Sequence, residues 1–317
     1  MNFPVFDLHC DTAFALLGED HNSVGSLKKN ELHIDLERAG KLDGYAQCFA
    51  CYTSSMMEQR FRVSPINVFE RELATIQREV DRNKRRIGIA YSAKDVIGNL
   101  EKGKASAILT LEGSAGFGYD PALLEDLYMI GFRMVSMTWN EQSPLAGSCQ
   151  TGGGLTDQGR EFVKEAQRLG MMLDVSHLSD EAFWDLAEIT QAPVIASHSN
   201  SRRVCDVSRN LTDDMFLAII NANGVAGLNF YRDFVGGHAD LDAACDHVLH
   251  FMELDPDGTH IALGGDLDGC DPLISGFDGI QSYPALAQRL LQRGLTEENV
   301  RNIFWNNALG VMERCCM

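Results

Sequence analysis

Short apolar or β-branched runs recur along the chain, each followed by a longer stretch whose apolar residues return at helical spacing. This alternation is expected of successive βα units. Eight such runs stand at residues 5–9, 45–52, 105–111, 133–138, 171–176, 194–197, 225–230 and 261–264. Helical spacing is carried by residues 66–84, 120–130, 156–169, 179–189, 212–221 and 241–252. Three of these segments open on a hydroxyl suited to cap a helix: Thr156 before DQGREF, Ser179 before DEAFWD and Thr212 before DDMFLA. Eight strands alternating with helices predict an α/β chain closed into a (β/α)8 TIM-type barrel. A doubly wound open sheet is the alternative, but it calls for a glycine-rich phosphate loop after the first strand, where FDLHCDT stands instead. A further run, 86–91, precedes a helical segment at 93–101, exceeds the count of eight and reads as an added strand or hairpin.

A length of 317 residues suits one such barrel, and no linker, low-complexity stretch or repeat invites a cut, so residues 1–317 are read as a single domain. No apolar run approaches the roughly 20 residues of a membrane helix, and MNFPVFDLHCDT does not read as a signal peptide, so the expected compartment is the cytoplasm. A net charge of −18 repels phosphate backbones and anionic membrane surfaces alike, which argues against nucleic acid or a membrane as partner. The nine cysteines are scattered and read as reduced thiols. Cys48 and Cys51 form a lone CxxC inside YAQCFACY and read as buried strand residues, and the terminal Cys315 and Cys316 match no prenylation signal.

In such a barrel, chemistry gathers where strands end at the C-terminal mouth. Five of the eight runs end in potential ligands, as FDLHCDT, LTLEG, DVSHLS, IASHSNS and LGGDLDG, which bring His9, Asp11, Glu112, His177, His198 and Asp266 to one rim. His9 and Asp11, separated by one residue, share a strand face and can chelate one ion, although a hydrogen-bonded pair has the same spacing. Either His177 or His198 alone reads equally as a core histidine held by a carbonyl. Glu112 follows an apolar strand, where an unpaired carboxylate costs several kcal/mol on the order of the usual burial penalty, and a cation removes that cost. The combination is what points to metal, since six of the nine histidines lie elsewhere, in segments read as loops and helices. Mixed nitrogen and oxygen donors suit zinc, with manganese or iron also compatible, and two ions ~3.5 to 4 Å apart hold a bridging hydroxide that is nucleophilic at neutral pH. Asp266 is the candidate to take and return the proton, with Asp268 as its alternative.

These residues resemble the membrane dipeptidase (renal dipeptidase) family of zinc peptidases in a D-x-H-x-D start and in L-x-x-E-G, S-H, S-H-S and G-G-D-x-D-G segments. The likeness runs in order from Phe6 to about Asn307. It implies a dipeptidase with two zinc ions per chain: His9, Asp11 and Glu112 on the first, Glu112, His177 and His198 on the second, and Asp266 transferring protons. It also implies that Arg209, within Ser208, Arg209 and Asn210, clamps the substrate carboxylate with its guanidinium fork, although Arg202, Arg203 and Arg209 can equally form a solvated basic loop. Tyr231 and Trp139 are further substrate-binding candidates. Trp139 stands where mammalian relatives carry a histidine near the tetrahedral intermediate; it can donate one N–H or pack, but cannot become a cation. Export and lipid anchoring, known for secreted members, are not expected here, and a homodimer is the default assembly. Two competing functions stay open: hydrolysis of a lactone, cyclic amide or related substrate, and a non-catalytic binding barrel.

Overall fold

The computed structural model describes residues 3–18 and 25–316. Nine strands form one sheet: β1 Val5–Cys10, β2 Tyr45–Tyr52, β3 Ile87–Ile89, β4 Ala105–Glu112, β5 Phe132–Ser136, β6 Met172–Asp174, β7 Val194–Ala196, β8 Val225–Leu228 and β9 Ile261–Leu263. Their order is β2-β1-β9-β8-β7-β6-β5-β4-β3, and a pairing of β2 with β4 closes eight of them into a parallel (β/α)8 TIM-type barrel. The ninth strand is the added run 86–91. β2 occupies one edge of β4, so β3 and β5 share the other, β3 against Ala105 to Ala107 and β5 against Leu109 to Leu111.

All eight expected runs are strands, but β5 to β9 each end before their apolar patterns do. At β6 and β7 the cause is visible in the backbone bonds. Ser176 and Ser197 donate their amides to Asp174 Oδ1, both at 2.9 Å, and His198 donates to Ser176 Oγ at 3.1 Å. Amides spent on side chains are lost to the ladder, so the strands stop where the site begins. The three expected caps form, with Thr156, Ser179 and Thr212 accepting the amides of Gly159, Ala182 and Met215. Each is worth about 1 kcal/mol.

Two apolar layers result. The outer layer packs helices on the barrel, with Phe162, Phe183, Phe216 and Phe251 against strand residues such as Leu109, Leu173 and Leu228. The barrel floor contains Phe6, Leu8, Cys48, Ile108, Met134, Met172 and Ile195. Trp305, Ala308, Val311 and Met312, from the π turn Asn302–Asn306 and the helix Asn307–Cys315, belong to this floor cluster and stop the N-terminal end of the barrel. Cys48 lies in the floor cluster and Cys51 in the outer layer, on opposite faces of β2, and burial pushes both thiols up. Among the described residues no helix is long and apolar enough to cross a membrane.

Candidate active site

Above the floor, side-chain alternation turns polar. Ile108 is followed on the same face by Thr110 and Glu112, Met134 by Ser136, Met172 by Asp174 and Ile195 by Ser197, all buried. β1 reaches this layer by a different device. From Asp7 to Cys10 its register advances one residue more than β2 does from Gln47 to Phe49, a bulge that turns His9 inward while Cys10 packs in the outer layer. Asp7 holds the bulge: its carboxylate accepts the His9 amide at 2.9 Å, Gln47 Nε2 at 3.0 Å, the Gly265 amide at 2.8 Å and the Tyr283 hydroxyl. One buried acid thereby fixes His9 and the segment leading to Asp266.

His9, Asp11, Glu112, His177, His198 and Asp266 converge. Glu112 Oε1 lies 2.8 Å from His177 Nε2 and 3.5 Å from His198 Nε2, and the two imidazole nitrogens are 3.1 Å apart. Glu112 Oε2 lies 3.6 Å from His9 Nε2, which is 3.3 Å from Asp11 Oδ2 and 3.8 Å from Asp266 Oδ1. The carboxylate of Glu112 thus faces a histidine pair with one oxygen and the His9–Asp11 pair with the other. Asp11 itself lies one residue past β1, at the start of the short helix Thr12–Ala15, so strand alternation is not what aims it.

The hydrogen bonds of the two ring Nδ1 atoms fix the tautomers. His177 Nδ1 is 2.9 Å from Asn140 Oδ1, an acceptor, so it carries the proton and Nε2 is bare. His198 Nδ1 is 2.6 Å from Ser197 Oγ, whose own hydrogen goes to Asp174 Oδ2 at 2.5 Å, so the same holds there. Burial also pushes the pKa of His177 and of His198 well down, keeping both rings neutral. Two bare nitrogen lone pairs and a carboxylate oxygen therefore point at one another, and Asp11 Oδ1 is buried without a partner. Such a set could hold a cation, and the imidazole and carboxylate donors fit divalent transition ions. Crowding shows in the carboxyl groups as well. Burial, reinforced by Asp11, raises Glu112 well above its usual range and Asp266 to about 6. Burial pulls His9 down, but Glu112 and Asp11 outweigh it and lift the ring to about 10.

Local backbone strain accompanies this convergence. His177, Asp266 and Asp268 hold φ of 73°, 56° and 65°, left-handed values that cost non-glycine residues on the order of 1 kcal/mol each. Gly113, at φ +73°, follows Glu112 where any Cβ would run into the Thr53 carbonyl. The two aspartates of GGDLDG differ. Asp266 accepts Asn229 Nδ2 at 3.1 Å and turns its other oxygen to the centre. Asp268 is spent on Thr12 Oγ1 and the His33 amide, each at 2.6 Å.

The arginines of the loop after β7 also separate. Arg202 makes a two-pronged pair with Asp180 at 2.7 and 2.8 Å. Arg209 is buried, donates to Ser199 Oγ at 2.7 Å, and leaves Nε and Nη2 without partners. Tyr231 and Trp139 line the cleft of about 440 Å³ above the centre. The Tyr231 hydroxyl donates to Asp233 at 2.9 Å. Trp139 sets its ring against Tyr52 at 5.2 Å and lies 6.2 Å from His177, so it packs and lines the cleft at once. Sequence reasoning missed the residues that orient these groups: Asp7, Asn140, Asp174, Ser197 and Asn229. Asp7, Asp174 and Ser197 sat inside the motifs, but nothing in a one-dimensional pattern pairs Asn140 with His177.

Fold and site together define a metallohydrolase barrel. The chain belongs to the membrane dipeptidase family (peptidase family M19), whose family model matches residues 1–315. Dipeptidase verJ of Clonostachys rogersoniana is 29% identical over 327 residues, covering 98% of this chain and 84% of its own. An uncharacterized dipeptidase of Schizosaccharomyces pombe, C3A11.10c, is 32% identical over 213 residues, 65% of this chain, and the match spans only 52% of that protein's length. A Rhodobacter sphaeroides metallopeptidase, solved with a phosphinate mimic of the dipeptide L-Ala-D-Ala, superposes with a TM-score of 0.87 at 26% identity, covering 99% of this chain and 100% of that one.

Proposed function

We propose that the protein is a zinc-dependent dipeptidase with two metal ions per chain, His9, Asp11 and Glu112 holding one and Glu112, His177 and His198 the other. The observation that carries this reading is the bare Nε2 atoms of His177 and His198 turned on one oxygen of Glu112 while its other oxygen faces His9. Bound there, the ions supply Lewis acidity toward a peptide carbonyl and a water made acidic enough to attack at neutral pH. The chain's own residues do the rest. Arg209 receives the terminal carboxylate on its unpartnered nitrogens, which favours a free peptide over a lactone or cyclic amide. Tyr231 and Trp139 bound the substrate from two sides of the cleft. Asp266, steadied through Oδ2 by Asn229, takes a proton from the attacking water on Oδ1 and delivers it to the leaving amine.

Asp266→Asn separates proton transfer from metal binding. Dipeptide turnover falls by about 10²- to 10⁴-fold, the usual worth of general acid–base catalysis, while metal content measured in the same protein stays near normal. Unchanged turnover would remove Asp266 from the mechanism.

A further inference from the structure

The acidic lining of the cleft contains one cation that the chemistry above does not use. Asp11, Glu112, Asp266, Asp268 and Asp271 all border it, and Arg60 is its one arginine or lysine among the described residues. Arg60 sits on the helix Met57–Phe61, is exposed, and forms no ion pair among the described residues. Its guanidinium lies 5.3 Å from the centroid of the Trp139 ring, which holds it over the cleft without neutralising it. Trp139 in turn rests on Tyr52, and Tyr52 on Phe14 at 5.5 Å, so the cation caps an aromatic wall.

Barrel order shows which end of a substrate meets that wall. Arg60 follows β2 and Arg209 follows β7. From β2 the circuit reaches β7 through β1, β9 and β8 in one direction and through β4, β5 and β6 in the other, so the two strands lie opposite each other. A dipeptide anchored by its C-terminal carboxylate at Arg209 and crossing the metal centre presents its N-terminal residue to the far rim. Trp139 supplies a flat apolar face for the methylenes of that side chain, and Arg60 a guanidinium for its end.

We propose that Arg60 and Trp139 form a subsite for an acidic side chain on the N-terminal residue, so that dipeptides beginning with Glu or Asp are preferred over their neutral isosteres. The inference rests on the dipeptidase reading and on the carboxylate lying at Arg209. A guanidinium meeting a carboxylate is stronger than the same contact with an amide, and Glu and Gln differ in little else.

The test compares kcat/KM for L-Glu-L-Ala and L-Gln-L-Ala with zinc-loaded protein, with L-Ala-L-Ala as the neutral reference. Wild type favours Glu by about 3- to 5-fold, the worth of an ion pair at an exposed guanidinium. Arg60→Met brings the ratio near one, and Arg60→Glu inverts it, with L-Lys-L-Ala then favoured over L-Gln-L-Ala. A wild-type ratio near one, or an equal loss on both substrates in Arg60→Met, would overturn the subsite. So would an Arg60 effect confined to L-Ala-L-Glu against L-Ala-L-Gln, which would put the acidic side chain at the other end. Cleavage of L-Ala-L-Ala without acidic preference sinks this inference alone, whereas no cleavage of any dipeptide sinks the dipeptidase reading with it.

Discussion

The two halves of the barrel interior are built from the same strands and have opposite physical characters. Its floor is apolar side chains from β1, β2 and β4 to β9, closed by Trp305 and Met312. Two to four residues further along those strands the interior turns to Glu112, Asp174 and Ser197, the ladders stop, and side-chain hydrogen bonds replace them. The floor lowers the free energy of the fold by removing apolar surface from water. Above it, the chain buries acids, opposes lone pairs and holds three non-glycine residues at positive φ, all of which cost stability unless a ligand is bound. Stability and function are thus separated along the strand axis, as expected of a fold whose chemistry is carried at one rim.

Substitutions in the two halves should therefore have opposite consequences. The largest effect belongs to Glu112→Gln, which removes the carboxylate proposed to be shared by the two ions. Dipeptide turnover falls by at least about 10³-fold, roughly 4 kcal/mol of barrel-rim chemistry, and metal content drops with it. Yet the metal-free variant unfolds at the same temperature as metal-free wild type or higher, because burial already holds Glu112 well above its usual pKa and an amide has no charge to desolvate. A clear loss of thermal stability in the metal-free variant would show that the carboxylate supports the fold. Met312→Ala does the reverse. Met312 is fully buried in the floor, so the truncation costs about 2–5 kcal/mol in denaturant unfolding, while kcat/KM of the folded fraction and its metal content hold. A selective loss of activity would mean that the floor transmits strain to the rim.

The smallest effect sharpens the boundary between the halves. His247, buried on the helix Leu241–Leu254, accepts the Ser201 amide on Nδ1 at 3.1 Å and donates from Nε2 to the Val235 carbonyl at 2.9 Å, tying the Arg209 loop to the Tyr231 loop. Burial holds its pKa below the usual value of 6.5; the Val235 bond and Asp246 oppose that shift, and His250 adds to it. The neutral ring is the folded form. Its contribution to stability is therefore fully present above pH 6.5 and is lost as pH falls through the lower folded value. Unfolding curves measured from pH 7.5 to 5 should show this component in wild type and lack it in His247→Gln, and identical pH profiles would contradict the assignment.

What was legible in the chain follows the same division. Parallel strands buried on both faces read as near-continuous apolar runs, so all eight stood out, and their ends carried Glu112, His177 and His198 in plain view. The helix caps were legible because a hydroxyl before an acidic turn acts locally. Three features depended on what lies across space. The β1 bulge shows only against β2, and simple alternation gave the right partners for His9 and Asp11 without that kink. Asn140 belongs to His177 through a loop contact between residues far apart in sequence. The C-terminal plug carries helical spacing at Trp305, Ala308 and Met312, a signal that eight strand–helix units left unused.

The central claim is that the crowded rim is a two-cation centre that cleaves dipeptides. Its most direct test is hydrolysis of mixed L,L and L,D dipeptides by chelator-stripped protein, before and after zinc is restored, with bound metal counted in the same samples. The expected result is loss of cleavage on stripping and its full recovery at about two zinc ions per chain. Cleavage that persists in stripped protein, or two bound ions with no cleavage of any dipeptide, would contradict it.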